Sequence, residues 1–298
     1  MKEMKTYLDC FPCFLRQVVI ALSQVSVDEA LKVEILKETL EDIRRTDTSK
    51  TPAHSTTFVH RKIRGLLGCD PFREIKQRYN RIALGLYPRL KSLVDESRDP
   101  LWTASRLAIA GNVIDFGIYK EVDIEAEINR SLKGEIVWDD YADFSASLDS
   151  TEEVLYLIDN AGEIVFDRIL IETIRDRGKR VIAVVKGGPV INDSTIEDAL
   201  EVGLQKICEV KDNGSDAIGT ILEWCSEEFR MLFYRAPFII SKGQGNFETL
   251  MNVDKEVFFL FQAKCDVVSG FLGVANGSML LVENRKLFSH EFPRLGTN

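Results

Sequence analysis

At 298 residues the chain has room for two domains or one large one, and with 45% hydrophobic residues it can bury a substantial core. Its 38 basic and 47 acidic side chains leave a formal charge of −9, which argues against nucleic acid as a partner, because neutralising a phosphate backbone needs clustered Lys and Arg. A small anion held by one local cation stays open. The first ten residues contain no apolar signal-type core, and no run of about eighteen apolar residues occurs, so a cytoplasmic protein without membrane association is expected. The six cysteines (10, 13, 69, 208, 225 and 265) then read as free thiols and not as a disulfide framework.

Up to residue 133 the apolar spacing is helical, and it predicts helices over 14–25, 27–45, 57–67, 71–94, 101–110 and 124–132. Asp28 and Asp70 stand where N-caps belong, with Pro71 as a first helical residue. Short apolar runs take over afterwards and predict strands at 154–158, 181–185, 206–210, 238–241, 257–262 and 279–282, with helical stretches between several of them. That alternation implies a parallel sheet. The expected architecture is therefore α/β: an N-terminal helical bundle over 1–133, then a Rossmann-like three-layer α/β/α domain with a mostly parallel sheet over 134–298. Residues 134–153, with Asp139, Asp140, Asp143 and Asp149, read as the junction.

Within the helical half, Cys10-Phe-Pro-Cys13 has the spacing of half a zinc site or of a redox pair, with His54, His60 and Cys69 as the only nearby candidates to complete it; with no second Cys-x-x-Cys, two free thiols are the favoured reading. Asn112 and Asp115, in Ala108-Ile-Ala-Gly-Asn-Val-Ile-Asp115, follow small residues that admit close backbone approach or end a helix.

The sheet half carries its polar residues at strand ends. Val154 to Ile158 suits a strand buried on both faces; Asp159 and Asn160 follow it, Gly162 permits a tight turn, and Glu163 opens an amphipathic helix. An acid and an amide at that position can hold a hard cation, or Asp159 can simply cap the helix. After 181–185 a glycine turn leads to Asn192-Asp193 and a helix from 194 to 202, so Asp193 is a ligand or an N-cap. Lys211 to Asp216 is expected to lead into another helix, with Ser215 as its cap. Ser241-Lys-Gly-Gln-Gly-Asn246 places two glycines and an ammonium at a helix start, a combination that suits an anion; the ammonium of Lys242 is expected to project from the strand end. The loop has neither the Walker A order nor a dinucleotide fingerprint.

Taken together, Asp159-Asn160-x-x-Glu163, Asn192-Asp193, Ser241-Lys-Gly-Gln-Gly-Asn246 and Asn112-x-x-Asp115 resemble the damage-control phosphatases over nearly the whole chain, and Cys10-x-x-Cys13 resembles the mark of their microbial and archaeal subfamily. The resemblance implies a metal-dependent phosphatase acting on phosphate monoesters of small metabolites such as sugar phosphates, with a divalent ion (magnesium, manganese, cobalt or nickel) as cofactor. It matches Asp159, Asn160 and Asp193 to the metal ligands. Lys242 with Gly243, Gln244, Gly245 and Asn246 matches the phosphate-binding group, and Asn112, Asp115 and Glu163 match the remaining substrate positions. The catalytic set is then Asp159, Asp193 and Lys242, either water or a carboxylate such as Asp159 being the attacking group, and Cys10 and Cys13 are left to stability or a secondary metal. Two other functions fit the crevice: an S-adenosylmethionine-dependent protein carboxyl methyltransferase, described for a relative, and a non-catalytic metal or sugar-phosphate binding protein. The first would need a glycine-rich first turn and an acid closing the second strand, and neither is evident.

Overall fold

The structure is a computed structural model and describes residues 4–113 and 124–288. Three helices, α1 (Cys10–Ser23), α2 (Glu29–Arg44) and α3 (Pro52–Leu67), close around a core of their own that includes Phe14, Val18, Ile35, Val59 and Ile63. Their ends follow the capping chemistry: the Asp28 side chain accepts from Ala30 N, and the Thr51 hydroxyl accepts from His54 N with Pro52 in the first turn. Helices α4 (Arg73–Asp95), α5 (Pro100–Val113) and α6 (Ile124–Lys133) follow, and α4 and α5 share a core with the sheet. Asp70 does not head α4 directly. Its carboxylate takes Phe72 N at 2.9 Å, and the helix begins at Arg73 after a turn that contains Pro71.

The sheet has seven strands: β1 (Ile136–Asp139), β2 (Glu153–Leu157), β3 (Arg180–Val185), β4 (Glu209–Asp212), β5 (Ile239–Lys242), β6 (Val257–Gln262) and β7 (Met279–Glu283). Their order is β1-β7-β6-β5-β2-β3-β4, and every pairing is parallel except β6 with β7. Strand periodicity separates the two faces. Val154 and Tyr156 of β2, Ala183 of β3, Ile240 of β5 and Leu260 of β6 pack toward α4, α5 and α8 (Glu163–Asp176). Leu155, Ile182, Ile239 and Phe259 face the other way, toward α10 (Glu227–Arg235), α11 (Gln244–Leu250) and α12 (Asp266–Leu272). The fold is thus three-layered and mostly parallel, as the alternation of strands and helices implies. Among the described residues no helix is long and apolar enough to cross a membrane.

Three local expectations are corrected. Residues 134–153, read as the junction, hold a strand and a helix that the apolar pattern did not predict: β1, which pairs with β7, and α7 (Tyr141–Ser150). A four-residue edge strand of mixed polarity, Ile-Val-Trp-Asp, lacks the buried run that identifies an interior strand. The fourth strand lies at Glu209–Asp212, later than 206–210, because Leu204–Lys206 forms a 3-10 turn. No helix follows Asp216 directly; an irregular loop and a 3-10 turn at Leu222–Trp224 precede α10, while α9 (Ile196–Glu201) does follow Asp193.

His60 on α3 is buried and bonded through Nε2 to Gln17 Oε1 at 3.0 Å. Burial, helped by the Arg64 charge, pushes its pKa down to about 3. The unfolded imidazole titrates near 6.5, so the stability from keeping His60 neutral is complete above that pH and is lost as pH falls from there toward 3. At pH 5 the loss is about 2 kcal/mol. Urea melts at pH 7.5 and 5.0 should therefore show a smaller drop for His60→Gln than for the wild-type chain; equal drops would contradict the assignment.

Candidate functional site

Chain order places β2, β3 and β4 outward in one direction, after which the chain returns to lay β5 on the other side of β2. The point where strand order reverses is the crevice of an open α/β sheet, and here it lies beyond the carboxyl ends of β2 and β5. Asp159 and Asn160 leave β2 at this point, and the turn carrying Asp193 is laced to them: Ser194 N donates to Asp159 O at 2.7 Å, Ala161 N to Asn192 O at 2.8 Å, and Asn160 and Asp193 form an isolated antiparallel bridge. From the opposite side comes Gly243, with φ +82. A Cβ built there would lie 1.9 Å from Asp159 Oδ2, so only glycine lets the β5–α11 turn approach this carboxylate.

The carboxylates are buried, Asp159 with 8% of its surface exposed and Asp193 with 4%. Burial, with the charges of Asp193 and Glu163 added, pushes Asp159 well above the ordinary carboxylate range. Burial likewise pushes Asp193 up to about 6, against the pull of Lys186. Asp193 Oδ2 is enclosed and accepts no hydrogen bond among the described residues; the Lys186 ammonium stands 3.4 Å from it. The Asn160 amide donates to Asp159 Oδ2 at 2.7 Å and to Glu163 Oε2 at 3.0 Å. Two crowded carboxylates, one of them short of a donor, and an amide oxygen make a hard-oxygen set with excess negative charge, which suits a divalent cation such as Mg²⁺ or Mn²⁺. Among the described residues no group of three or more His, Cys, Asp and Glu side chains is gathered for a metal, so a cation here would lean on the amide and on further oxygens.

Lys242 does not project from the strand end. It shares the parity of Ile240 and therefore points to the α5–α8 side, fully buried. Its ammonium donates to Glu163 Oε1, to Asp167 Oδ1 at 2.7 Å and to the Ala108 carbonyl at 2.8 Å, which uses all three N–H bonds. Burial alone would depress this lysine, but Asp167 and Glu163 outweigh it and hold the pKa above the ordinary value. Glu163 therefore links Asn160 to Lys242, and Asp167, pushed up to about 7 by burial, also accepts from Tyr156 Oη at 2.8 Å. Asn246 is an internal brace: its amide donates to Lys242 O at 2.8 Å and accepts from Thr220 Oγ1 at 2.8 Å. Gln244 donates to Glu248 Oε1 at 3.0 Å and accepts from Lys264 N at 2.9 Å.

Of Asn112 only the backbone, in the last turn of α5, is described, and Asp115 lies outside the described residues. Cys10 and Cys13 stand on α1, Cys10 within range of the charges of Glu248 and Cys265, both of which bond Gln244. Cys10 is buried in the α1–α3 core, its thiol pushed up to about 11 chiefly by burial, and Cys13 is exposed. Both are free thiols, and His60 is bonded to Gln17. Sequence reasoning missed Lys76, Asn80, Asp167, Lys186 and Asp198. Asp167 was within reach, one helical turn after Glu163, and so was Lys186, at the end of β3; Asn80 gives no local signal. A cleft of about 700 Å³ lies at the amino ends of β3 and β4 and is lined by Arg175, Lys179, Arg180 and Lys206. These are surface cations, Arg180 already being paired with Glu153 and Glu209, so the buried chemistry at the opposite edge is the stronger candidate.

Fold and site define an α/β protein with an oxygen-rich crevice at its topological switch point. Comparison with known proteins places it more closely: the model of the damage-control phosphatase ARMT1-like domain matches residues 6–280, and the chain belongs to that family. It is 35% identical to the damage-control phosphatase of Archaeoglobus fulgidus over 91% of this chain and 96% of that one. It is 33% identical to the damage-control phosphatase PH1575 of Pyrococcus horikoshii over 95% of this chain and 99% of the relative. A crystal structure of a DUF89 family protein from Pyrococcus horikoshii superposes with a TM-score of 0.87 at 32% identity, over 95% of this chain and 100% of the other.

Removing the Lys242 ammonium strands Glu163 and Asp167 as buried charges. Lys242→Ala should lower unfolding stability on the order of 3–5 kcal/mol at pH 7.5. Denaturant titration checks this, and a loss below about 1 kcal/mol would match an exposed lysine instead.

Proposed function

We propose that the chain is a divalent-metal-dependent phosphatase that hydrolyses phosphate monoesters of small metabolites such as sugar phosphates. The observation that carries this reading is the pair of buried carboxylates Asp159 and Asp193 at the switch point, both pushed up by burial, with Asn160 beside them. Asp159, Asn160 and Asp193 would hold the ion, which when bound supplies charge to the phosphoryl oxygens and polarises them. Family membership supports the same chemistry. A methyltransferase reading lacks support, since the turn after β2 carries an acid and an amide where a nucleotide fold needs its glycines.

The residues around the ion then divide the work. Asp159 and Asp193 orient the reacting groups through their carboxylates, and Gly243 keeps the β5–α11 turn close to Asp159 so that substrate is held between the two turns. Lys242 offers charge and not a free N–H: its ammonium balances Glu163 and Asp167 and so leaves the Glu163 carboxylate bound to the Asn160 amide. Gly243, Gln244 and Gly245 would form the phosphate-facing loop, with Asn246 bracing it from within through Lys242 O and Thr220; Asn112 and Asp115 are assigned to substrate by resemblance to the family, and Glu163, buried against Lys242 and Asn160, supports the site without facing the substrate. The partner is a small phosphorylated metabolite in the cytoplasm, with neither nucleic acid nor membrane involved.

The test is phosphate release from a panel of sugar phosphates with added Mg²⁺ or Mn²⁺ and with EDTA. Activity should require metal, and Asp159→Asn should lower kcat by at least about a hundredfold while weakening metal affinity. Wild-type affinity and turnover in Asp159→Asn would refute the ligand assignment. The double variant Cys10→Ser/Cys13→Ser should keep turnover within about twofold at saturating metal, because hydrolysis here uses no thiol. A folded double variant without activity would reverse that view.

A further inference from the structure

The two turns that bear Asp159, Asn160 and Asp193 are joined by more than their direct backbone bonds. Asn80, on α4 in the N-terminal half of the chain, is completely buried and reaches both. Its Oδ1 accepts from Gly162 N at 2.7 Å, and its Nδ2 donates to Asp198 Oδ1 at 3.0 Å and to Glu201 Oε2 at 2.8 Å. The orientation of the amide follows from these partners, an N–H on one side and carboxylates on the other. Gly162, with φ +79, stands at the N-cap of α8 with no capping side chain of its own, so Asn80 supplies from another helix the acceptor that this end of α8 lacks. Asp198 is equally placed on the other side. Its Oδ2 takes Thr195 N and Thr195 Oγ1, each at 2.8 Å, and fixes the start of α9 directly after Asp193. Lys76, one turn earlier on α4, holds the same carboxylate at 3.2 Å and Asp70 at 3.5 Å.

One face of α4 thus fastens the β2–α8 turn and the β3–α9 turn to a common support. We propose that Asn80 is a positioning residue for the divalent-cation site, fixing the separation between the turn of Asp159 and Asn160 and the turn of Asp193. The proposal rests on the metal reading above. An amide is the side chain the position requires: Asp would set a third carboxylate against Asp198 and Glu201, and Ala would leave the Gly162 N–H and Asp198 Oδ1 without this partner. Loss of such an outer support characteristically weakens metal binding without abolishing the chemistry.

Calorimetric titration with Mn²⁺ alone tests it on the full chain, with Asn80→Ala, Glu201→Ala, Tyr87→Phe and Asp159→Asn beside wild type. Asn80→Ala should weaken Mn²⁺ about 10- to 100-fold while kcat at saturating Mn²⁺ stays within about threefold. Glu201→Ala, at an exposed residue that removes one of the two acceptors of the amide, should weaken it on the order of threefold. Tyr87→Phe breaks the bonds of α4 to Glu172 of α8 away from the crevice, at 2.8 and 2.7 Å, and should lower stability with Mn²⁺ affinity unchanged. Mn²⁺ affinity within twofold of wild type in Asn80→Ala would overturn the proposal; if that variant does not fold, unchanged affinity in Glu201→Ala would do so. Equal weakening by Tyr87→Phe would also overturn it, reducing Asn80 to general packing. Wild-type binding that survives Asp159→Asn would instead bring down the metal assignment itself, and this proposal with it.

Discussion

Four buried carboxylates, Asp159, Glu163, Asp167 and Asp193, are gathered around the switch point, and Lys186 and Lys242 are the buried ammonium groups that answer them. Such a concentration of negative charge away from water is stable only when each charge is paired, protonated or matched by a bound cation. Lys242 settles Glu163 and Asp167 from the α5–α8 side, while Lys186 stands off Asp193 without a hydrogen bond. Among the described residues Asp193 therefore keeps one buried oxygen without a hydrogen bond beside the crowded Asp159, and the surrounding geometry follows from holding the two together: glycine at 243, the backbone lacing of the turns, and the α4 face beneath.

The parallel sheet explains why these groups meet although they lie far apart in sequence. Strand alternation sends Tyr156 and Lys242 to the helix face that carries Asp167, while the residues that leave the strand ends enter the crevice. Stability and chemistry are coupled here, since the network that buries charge also orients Asn160. The same coupling gives the N-terminal half a share in the site, because α4 lies against both turns through Asn80 and Lys76.

The strands were readable because interior strands of a parallel sheet are continuous apolar runs; 257–262 and 181–185 stand out for that reason. The edge strand β1 was not, since its register is set by β7, more than a hundred residues later in the chain. Asp159 and Asn160 were legible as polar residues that end such a run, and Asp193 as the acid reached by the glycine turn after 181–185. The direction of Lys242 could have been read from its parity with Ile240, but the partners that consume its donors come from α5 and α8 and have no local mark. Asn80 looks like any polar residue on an amphipathic helix, and only the packing of α4 on α8 makes it internal.

The proposed cation site joins Asp159 and Asp193 with Asn160 at the switch point. The most direct measurement is anomalous diffraction at the manganese edge from crystals of the chain soaked in Mn²⁺. A peak between the Asp159 and Asp193 carboxylates, within about 2.0–2.3 Å of an oxygen of each, is the result expected for a hard divalent ion. A peak at Cys10 and Cys13 alone, or no peak at the switch point with the carboxylates ordered as described, would contradict the account.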